Sequence, residues 1–90
     1  MVKTMIAHDV KNFTEWKKGF DADATNRKKM GVKVTGVFRD FNNPNRVIVT
    51  ANVPNKAAAQ AFVSNPELAT AMEKAGVVGM PDFRILKKVK

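Results

Sequence analysis

The sequence contains no cysteine and only one histidine, His8. The lack of cysteine excludes disulfide bonds, thiolate metal sites and thiol nucleophiles. A structural zinc site is not expected from one imidazole. The chain also lacks a glycine-rich dinucleotide-binding motif and a phosphate-binding loop, so we predict that it carries no metal and no cofactor.

Long hydrophobic runs are also missing. No apolar stretch approaches the roughly 20 residues needed to span a bilayer. The N-terminal MVKTMIAHDV lacks the apolar segment of a signal peptide. We therefore predict a cytoplasmic protein with no membrane partner. Ninety residues fit one domain, residues 1–90.

Acidic residues are few relative to basic ones. Sixteen lysines and arginines against eight acidic residues give a net charge of +8, which favours anionic partners such as nucleic acid. The charge is spread along the chain, however, and its densest clusters are NRKK (26–29) and LKKVK (86–90). Because the first lies at a predicted helix end, where lysine complements the helix dipole, we interpret the charge as favouring solubility.

Alternating and helical patterns predict four strands and two helical regions. The first strand covers 2–9, and a helix runs from its N-cap Asn12 to the closing Gly31. Strands 33–41 and 46–53 are joined by the turn NNPN. Asn55 and Asn65 cap the two halves of a broken second helix that ends at Gly76. After the turn GVVGMPD, a final strand covers 83–89.

The order β-α-β-β-α-β predicts an α+β, ferredoxin-like fold, in which helices cover one face of a four-stranded antiparallel sheet. The other face is expected to be partly apolar, which is unusual for a sheet exposed to water. We therefore predict a homodimer through this face. In the third strand one side is wholly apolar (Val47, Val49, Ala51, Val53) and the other is half apolar (Ile48, Thr50, Asn52). The second strand has Val34 and Phe38 on one side and Val37 and Phe41 on the other.

Three segments resemble a known family: HDVKNFTEWKKGFD, VFRDFNNPN and NPELATAMEKAGVVGMPD. They are similar to the small bacterial dimeric α/β-barrel proteins grouped with the antibiotic biosynthesis monooxygenases and related cyclases, over nearly the whole chain. The pattern is nearest to a subgroup whose function is largely unknown. The resemblance implies that two sheets pack face to face into a barrel and that a small, often aromatic, molecule binds in a cavity beside the sheet. Heme-degrading relatives use an asparagine, tryptophan and histidine set, but here the histidine is on the first strand and the tryptophan on the first helix, so no role is transferred.

His8, at the end of the first strand, is the candidate catalytic residue. An imidazole with a pKa near ~6.5 can exchange protons at neutral pH or contact a ligand. The neighbouring Asp9 faces the other side of the strand and is not expected to orient it. The alternative is a histidine bonded to nearby backbone.

Four further residues are candidate ligand contacts. Trp16 lies on the apolar stripe of the first helix, where it either walls a cavity or packs in the core. Arg27 on the same stripe either binds an anion or extends its head to water. Phe38 is expected to line the pocket. Asn52 is expected near His8, because we predict parallel first and third strands.

These residues leave several functions open. The first is a cofactor-independent monooxygenase or cyclase that acts on an aromatic or polyketide-like compound. The second is a non-catalytic dimeric module that binds a ligand or a protein. RNA-recognition domains share this element order, but KTMIAHDV and RVIVTANV contain no aromatic residue for base stacking, so nucleic acid is disfavoured.

Overall fold

The computed structural model describes residues 2–90, which form one four-stranded sheet and four short helices. The sheet order is β2-β3-β1-β4, and every neighbouring pair is antiparallel. The predicted ferredoxin-like α+β fold is confirmed, with both helical regions divided in two. The elements are β1 Val2–Val10, α1 Phe13–Ala22, α2 Ala24–Lys29, β2 Lys33–Arg39, β3 Arg46–Val53, α3 Lys56–Val63, α4 Pro66–Lys74 and β4 Val77–Leu86.

The three predicted asparagine caps are confirmed. The side chain of Asn12 accepts a hydrogen bond from the Glu15 amide at 3.0 Å and starts α1. Asn55 and Asn65 do the same for α3 and α4, each with a 2.8 Å bond. These bonds satisfy backbone donors that a helix leaves free in its first turn. Short polar residues therefore mark where each of these helices begins.

The first helix is not continuous, contrary to the prediction. It breaks at Asp23, whose amide donates to the carbonyls of Gly19 and Phe20. The Phe20 carbonyl also accepts a 2.7 Å bond from Nη1 of Arg27. The arginine thus adds a second hydrogen bond to a carbonyl at the end of α1, where backbone acceptors lack the continuing helix.

The final strand begins earlier than predicted. β4 runs from Val77 to Leu86 and includes most of GVVGMPD. Gly79 has a positive φ of 74°, and the pairing of β1 with β4 shifts between Ala7 and Asp9. A glycine in this conformation permits an irregular strand where the sequence indicates a turn.

The two faces of the sheet differ clearly. The helix-facing side carries the buried β3 residues Val47, Val49, Ala51 and Val53, which confirms the predicted apolar side. The buried side chains fall into two clusters under the helices. One contains Ile6 and Phe62, and the other contains Val10 and Trp16.

No helix within residues 2–90 is long and apolar enough to cross a membrane. The cytoplasmic location stays a prediction.

Candidate functional site

A cavity lies between the sheet and the helices, at the junction of the two core clusters. It leaves about 60 Å³ for the centres of water-sized molecules and is partly open to solvent. The lining is mainly apolar and comes from every described helix and from strands β1, β2 and β3. Its members are Thr4, Ile6, His8, Trp16, Gly19, Phe20, Asp23, Arg27, Val32, Val34, Val49, Ala51, Phe62, Leu68, Ala71, Met72 and Ala75.

The cavity is small for a ring. A volume of about 150 Å³ holds benzene in an engineered apolar cavity, and roughly 10–15 Å³ holds one water. Three lining residues come from α4 and a fourth, Ala75, is its C-cap; no residue of α4 is fully buried. α4 is therefore the least buried helix of the cavity wall. An adjoining surface groove of about 320 Å³ shares Asp23 and Ala71 with the cavity.

His8 is the buried polar group at one end of the cavity. It is 3% exposed, and its Nδ1 has no hydrogen-bond partner among residues 2–90. The pKa of His8 lies below its ordinary value of 6.5, mainly because burial disfavours the charged imidazolium. The contact with its own backbone and the carboxylate of Asp9 raise the pKa in part, and the charge of Arg46 lowers it further. At neutral pH the imidazole is therefore uncharged and able to accept a proton.

Asp9 does not orient His8, as the strand alternation predicts. Its carboxylate faces the other side of the sheet and lies 3.3 Å from Nη1 of Arg46. This ion pair is about half exposed and contributes little to stability. Nδ1 of His8 thus remains without a partner, and an unpaired buried polar atom costs about 1–3 kcal/mol unless water or a ligand satisfies it.

Trp16 forms the aromatic wall. It is 3% exposed, meets the His8 ring edge to face at 5.5 Å between centroids, and stacks on Phe20 at 4.9 Å. Both expected roles are present in one residue, because Trp16 packs in the core and lines the cavity. Phe20 continues this aromatic wall, as expected from its position on the same apolar stripe of α1.

Arg27 closes the far end of this wall. Its guanidinium carbon lies 3.8 Å from the centre of the Phe20 ring, and the side chain is only 9% exposed. Burial lowers the pKa of Arg27, while Asp23 and Asp21 raise it. The structure thus brings His8, Trp16 and Arg27 to one cavity.

Phe38 and Asn52 lie elsewhere, and both placements correct the prediction. The pairing of β2 with β3 shifts between Val34 and Gly36, so Val34 and Val37 face the helices. Phe38 turns to the open face, where it is 53% exposed. A Cβ on Gly36 would lie 2.5 Å from its ring, which therefore crosses the glycine.

Asn52 is also on the open face, at the opposite end of the sheet from His8. β1 and β3 are antiparallel, so His8 pairs with Val47 and Asn52 pairs with Lys3. The predicted parallel pairing and the polar cluster of Asn52 with His8 are wrong. β1 and β3 are neighbours in the sheet, but they run in opposite directions.

The sequence does not indicate that α4 as a whole forms a wall of the site. Leu68 and Met72 were recognisable as apolar helix positions, but nothing in their spacing indicates that they face a cavity. Gly19 is not indicated either. A Cβ there would lie 3.1 Å from that of Ala75, so this glycine sets how closely α1 and α4 approach at the cavity edge.

The described residues offer no metal-binding group, since no cluster of three or more histidine, cysteine, aspartate or glutamate side chains occurs in residues 2–90. No protein-family model matches the sequence, and no curated protein matches it significantly.

Solved structures do resemble this one over almost their whole length. A protein from Bordetella bronchiseptica described as an antibiotic biosynthesis monooxygenase superposes with a TM-score of 0.80 at 12% identity, covering 99% of this chain and 97% of the other. The fold is that of the antibiotic biosynthesis monooxygenase-like proteins.

Two more solved structures agree at the level of the fold. A protein of the same description from Caulobacter crescentus CB15 gives a TM-score of 0.75 at 17% identity, covering 99% and 90% of the two chains. SnoaB from Streptomyces nogalater, a cofactor-independent oxygenase, gives 0.74 at 13% identity, covering 99% and 93%. At these identities the antibiotic biosynthesis monooxygenase-like fold is shared, and a reaction is not thereby assigned.

Proposed function

We propose that the protein binds a flat aromatic, polyketide-like molecule in the cavity and acts on it as a cofactor-independent monooxygenase or cyclase, with His8 as general base. The observation that carries this proposal is the uncharged, buried His8, with an unpaired Nδ1, beside the Trp16 ring in an incompletely filled cavity. The cofactor-independent oxygenase SnoaB, which shares the fold, supports the monooxygenase form.

The chemistry assigned to His8 is removal of one proton. A methylene between an aromatic ring and a carbonyl group is acidic enough to lose a proton to a positioned base. In the monooxygenase form, the resulting carbanion reacts with dioxygen, one oxygen atom forms the new carbonyl and the other leaves as water. The net change, CH₂ plus O₂ to C=O plus H₂O, takes all its electrons from the substrate. In the cyclase form, the same carbanion attacks a carbonyl carbon and dioxygen takes no part.

Trp16 and Phe20 are proposed to hold the ring of this substrate. Their stacked rings offer an apolar surface, and the apolar lining excludes water from the base. Because the empty cavity is smaller than a ring needs, binding requires α4 to move outward with Leu68 and Met72.

A non-catalytic dimeric module that binds a ligand or protein remains the second candidate. A fully packed space between sheet and helices would favour it, and the cavity is not fully packed. The exposed face of the sheet favours the dimer itself under either function. Phe38, Ile48 and Ala7 follow one another in register across β2, β3 and β1 on that face; Phe38 is exposed and Ile48 half-buried, whereas Ala7 is already buried. We propose that a second copy covers Phe38 and Ile48.

The test combines binding with turnover. Trp16 is the only tryptophan, so its indole N–H gives a single signal in a ¹H–¹⁵N NMR spectrum. A panel of naphthols, quinones and anthrones is titrated against this signal, and oxygen uptake is measured for the compounds that bind. We expect His8→Phe to retain binding and lose turnover by about 100-fold or more.

Two results would contradict the enzyme. Binding with no turnover of any compound, with or without dioxygen, would favour the non-catalytic module. Unchanged turnover in His8→Phe would remove His8 from the mechanism.

A further inference from the structure

The cavity has a second polar end besides His8. Ring contacts connect the two ends in series, from His8 to Trp16, from Trp16 to Phe20 and from Phe20 to the guanidinium of Arg27. Thr4 and His8 both line the cavity, and four residues of a strand span about 13 Å. Once α4 has moved outward, a ligand of two fused rings can lie along the aromatic wall with one end toward His8 and the other toward Arg27.

The charge of Arg27 is buried without a close counter-ion. No carboxylate in residues 2–90 lies within 4.0 Å of its guanidinium. The one side-chain hydrogen bond that it makes in that part of the chain goes to the Phe20 carbonyl, whereas a guanidinium has five N–H donors. Asp23 lines the same cavity, but its Oδ1 accepts a 2.8 Å bond from Asn26.

A purely structural role explains only part of this arrangement. Arg27 satisfies a carbonyl at the end of α1, where a positive charge also complements the helix dipole. That role uses one donor and does not require a position on the cavity wall. The Arg27 nitrogens without a partner are not among the fully buried unpaired atoms of residues 2–90, so they reach the cavity or water. A guanidinium with such free donors is well suited to a bidentate bond with a carboxylate.

We propose that the ligand is an aromatic carboxylate, bound with its carboxylate on Arg27, its rings on Trp16 and Phe20, and its reactive carbon toward His8. This proposal rests on the proposed function and names the substrate class of the same site. Arg27 then determines specificity, because a neutral ligand of the same shape leaves the guanidinium unpaired.

The experiment compares 2-naphthoate with its neutral isostere 2-naphthamide. Both are titrated into the full chain and followed by the indole N–H signal of Trp16. Since a hydrogen bond to a charged group contributes about 1.5–3 kcal/mol, we expect naphthoate to bind roughly 10-fold or more tightly than naphthamide. Arg27→Met is expected to bring this ratio close to one, and Arg27→Lys to retain part of it.

Arg39→Met is the matched control. Arg39 also stacks on a phenylalanine, with its guanidinium carbon 4.1 Å from the Phe13 ring, and donates to the carbonyl of Pro44 at 3.0 Å. It is exposed and does not line the cavity. The ratio should remain that of the wild type in this variant.

The outcomes separate this inference from the proposed function. Equal binding of both compounds to the wild type, with a shifted Trp16 signal, would overturn the carboxylate assignment and leave the cavity as a ligand site. A wild-type preference that survives in Arg27→Met would also overturn it. If Arg27→Met does not fold, the ratio in the wild type and in Arg27→Lys decides. Absence of any Trp16 shift with either compound would overturn the carboxylate assignment, and the panel of naphthols, quinones and anthrones would then decide whether the cavity binds a ligand.

Discussion

The His8 ring meets the indole of Trp16 edge to face, with the ring centroids 5.5 Å apart and the planes inclined by 63°. One residue comes from the end of β1 and the other from the first turns of α1. Each is 3% exposed. The contact fixes a titratable ring against an aromatic one and makes the tryptophan a direct reporter of the state of the histidine.

We expect the stability of the protein to fall as the pH drops below about 6.5. Burial holds the pKa of His8 in the folded chain below its ordinary value of 6.5. Above that pH the residue is neutral in both states and has no effect. Below it, the unfolded chain binds a proton that the folded chain does not, so the free energy of unfolding falls until the pH reaches the lower pKa of the folded state. Urea denaturation at pH 7.5 and 5.5 measures this loss.

His8→Phe is the reference for that measurement. It keeps a ring beside Trp16 and removes the titration, so its stability should change less than that of the wild type over the same range. Equal changes in both proteins would show that His8 titrates normally and is not the buried base described above.

Asn12→Ala should destabilise the protein by about 1 kcal/mol. The substitution removes the 3.0 Å bond to the Glu15 amide that begins α1, one turn before Trp16. Chemical denaturation measures the loss, and Asn12→Ser, which retains an accepting oxygen, should recover most of it. A serine variant as unstable as the alanine variant would show that the cap bond is not the cause.

Phe38→Glu should convert the proposed dimer to a monomer, because it places a charge in the apolar row with Ile48 and Ala7. Phe41→Glu is the matched control, since Phe41 is fully exposed and lies outside the strand. Sedimentation velocity at micromolar concentration distinguishes the states. A wild-type protein that is monomeric would contradict the dimer proposal. If both substitutions dissociate the dimer equally, the contact is not centred on the sheet.

Binding to single-stranded RNA should be weak and should disappear between low and physiological salt. The net charge of +8 attracts phosphates, but the two central strands, β1 and β3, contain no aromatic residue for base stacking. Fluorescence anisotropy of a labelled oligonucleotide at 20 and 150 mM salt tests this. Affinity that persists at the higher salt would reopen RNA recognition.

Local chemistry made much of the fold predictable. The caps at Asn12, Asn55 and Asn65 act within three residues of the helix start. The alternation of valines along β3 indicates which side of that strand is buried. Short-range signals of this kind do not depend on where distant segments lie. The ferredoxin-like order follows from them.

The remaining features depend on contacts between distant residues. The break at Asp23 is accompanied by the bond from Arg27 to the Phe20 carbonyl, which joins residues seven positions apart. The separation of Asn52 from His8 follows from an antiparallel register that no local pattern contains. His8, Trp16 and Arg27 were each recognisable as candidates, but their meeting at one cavity required the packed helices.

The register shift in β2 decides which surface Phe38 serves. Side chains alternate along a regular strand, so Val34 and Val37, three positions apart, would face opposite sides if β2 paired without the shift. The extra position between Val34 and Gly36 brings both valines to the helix side. Without it the valine at 37 would leave the core, and the phenylalanine that follows would compete with a ligand for the same space.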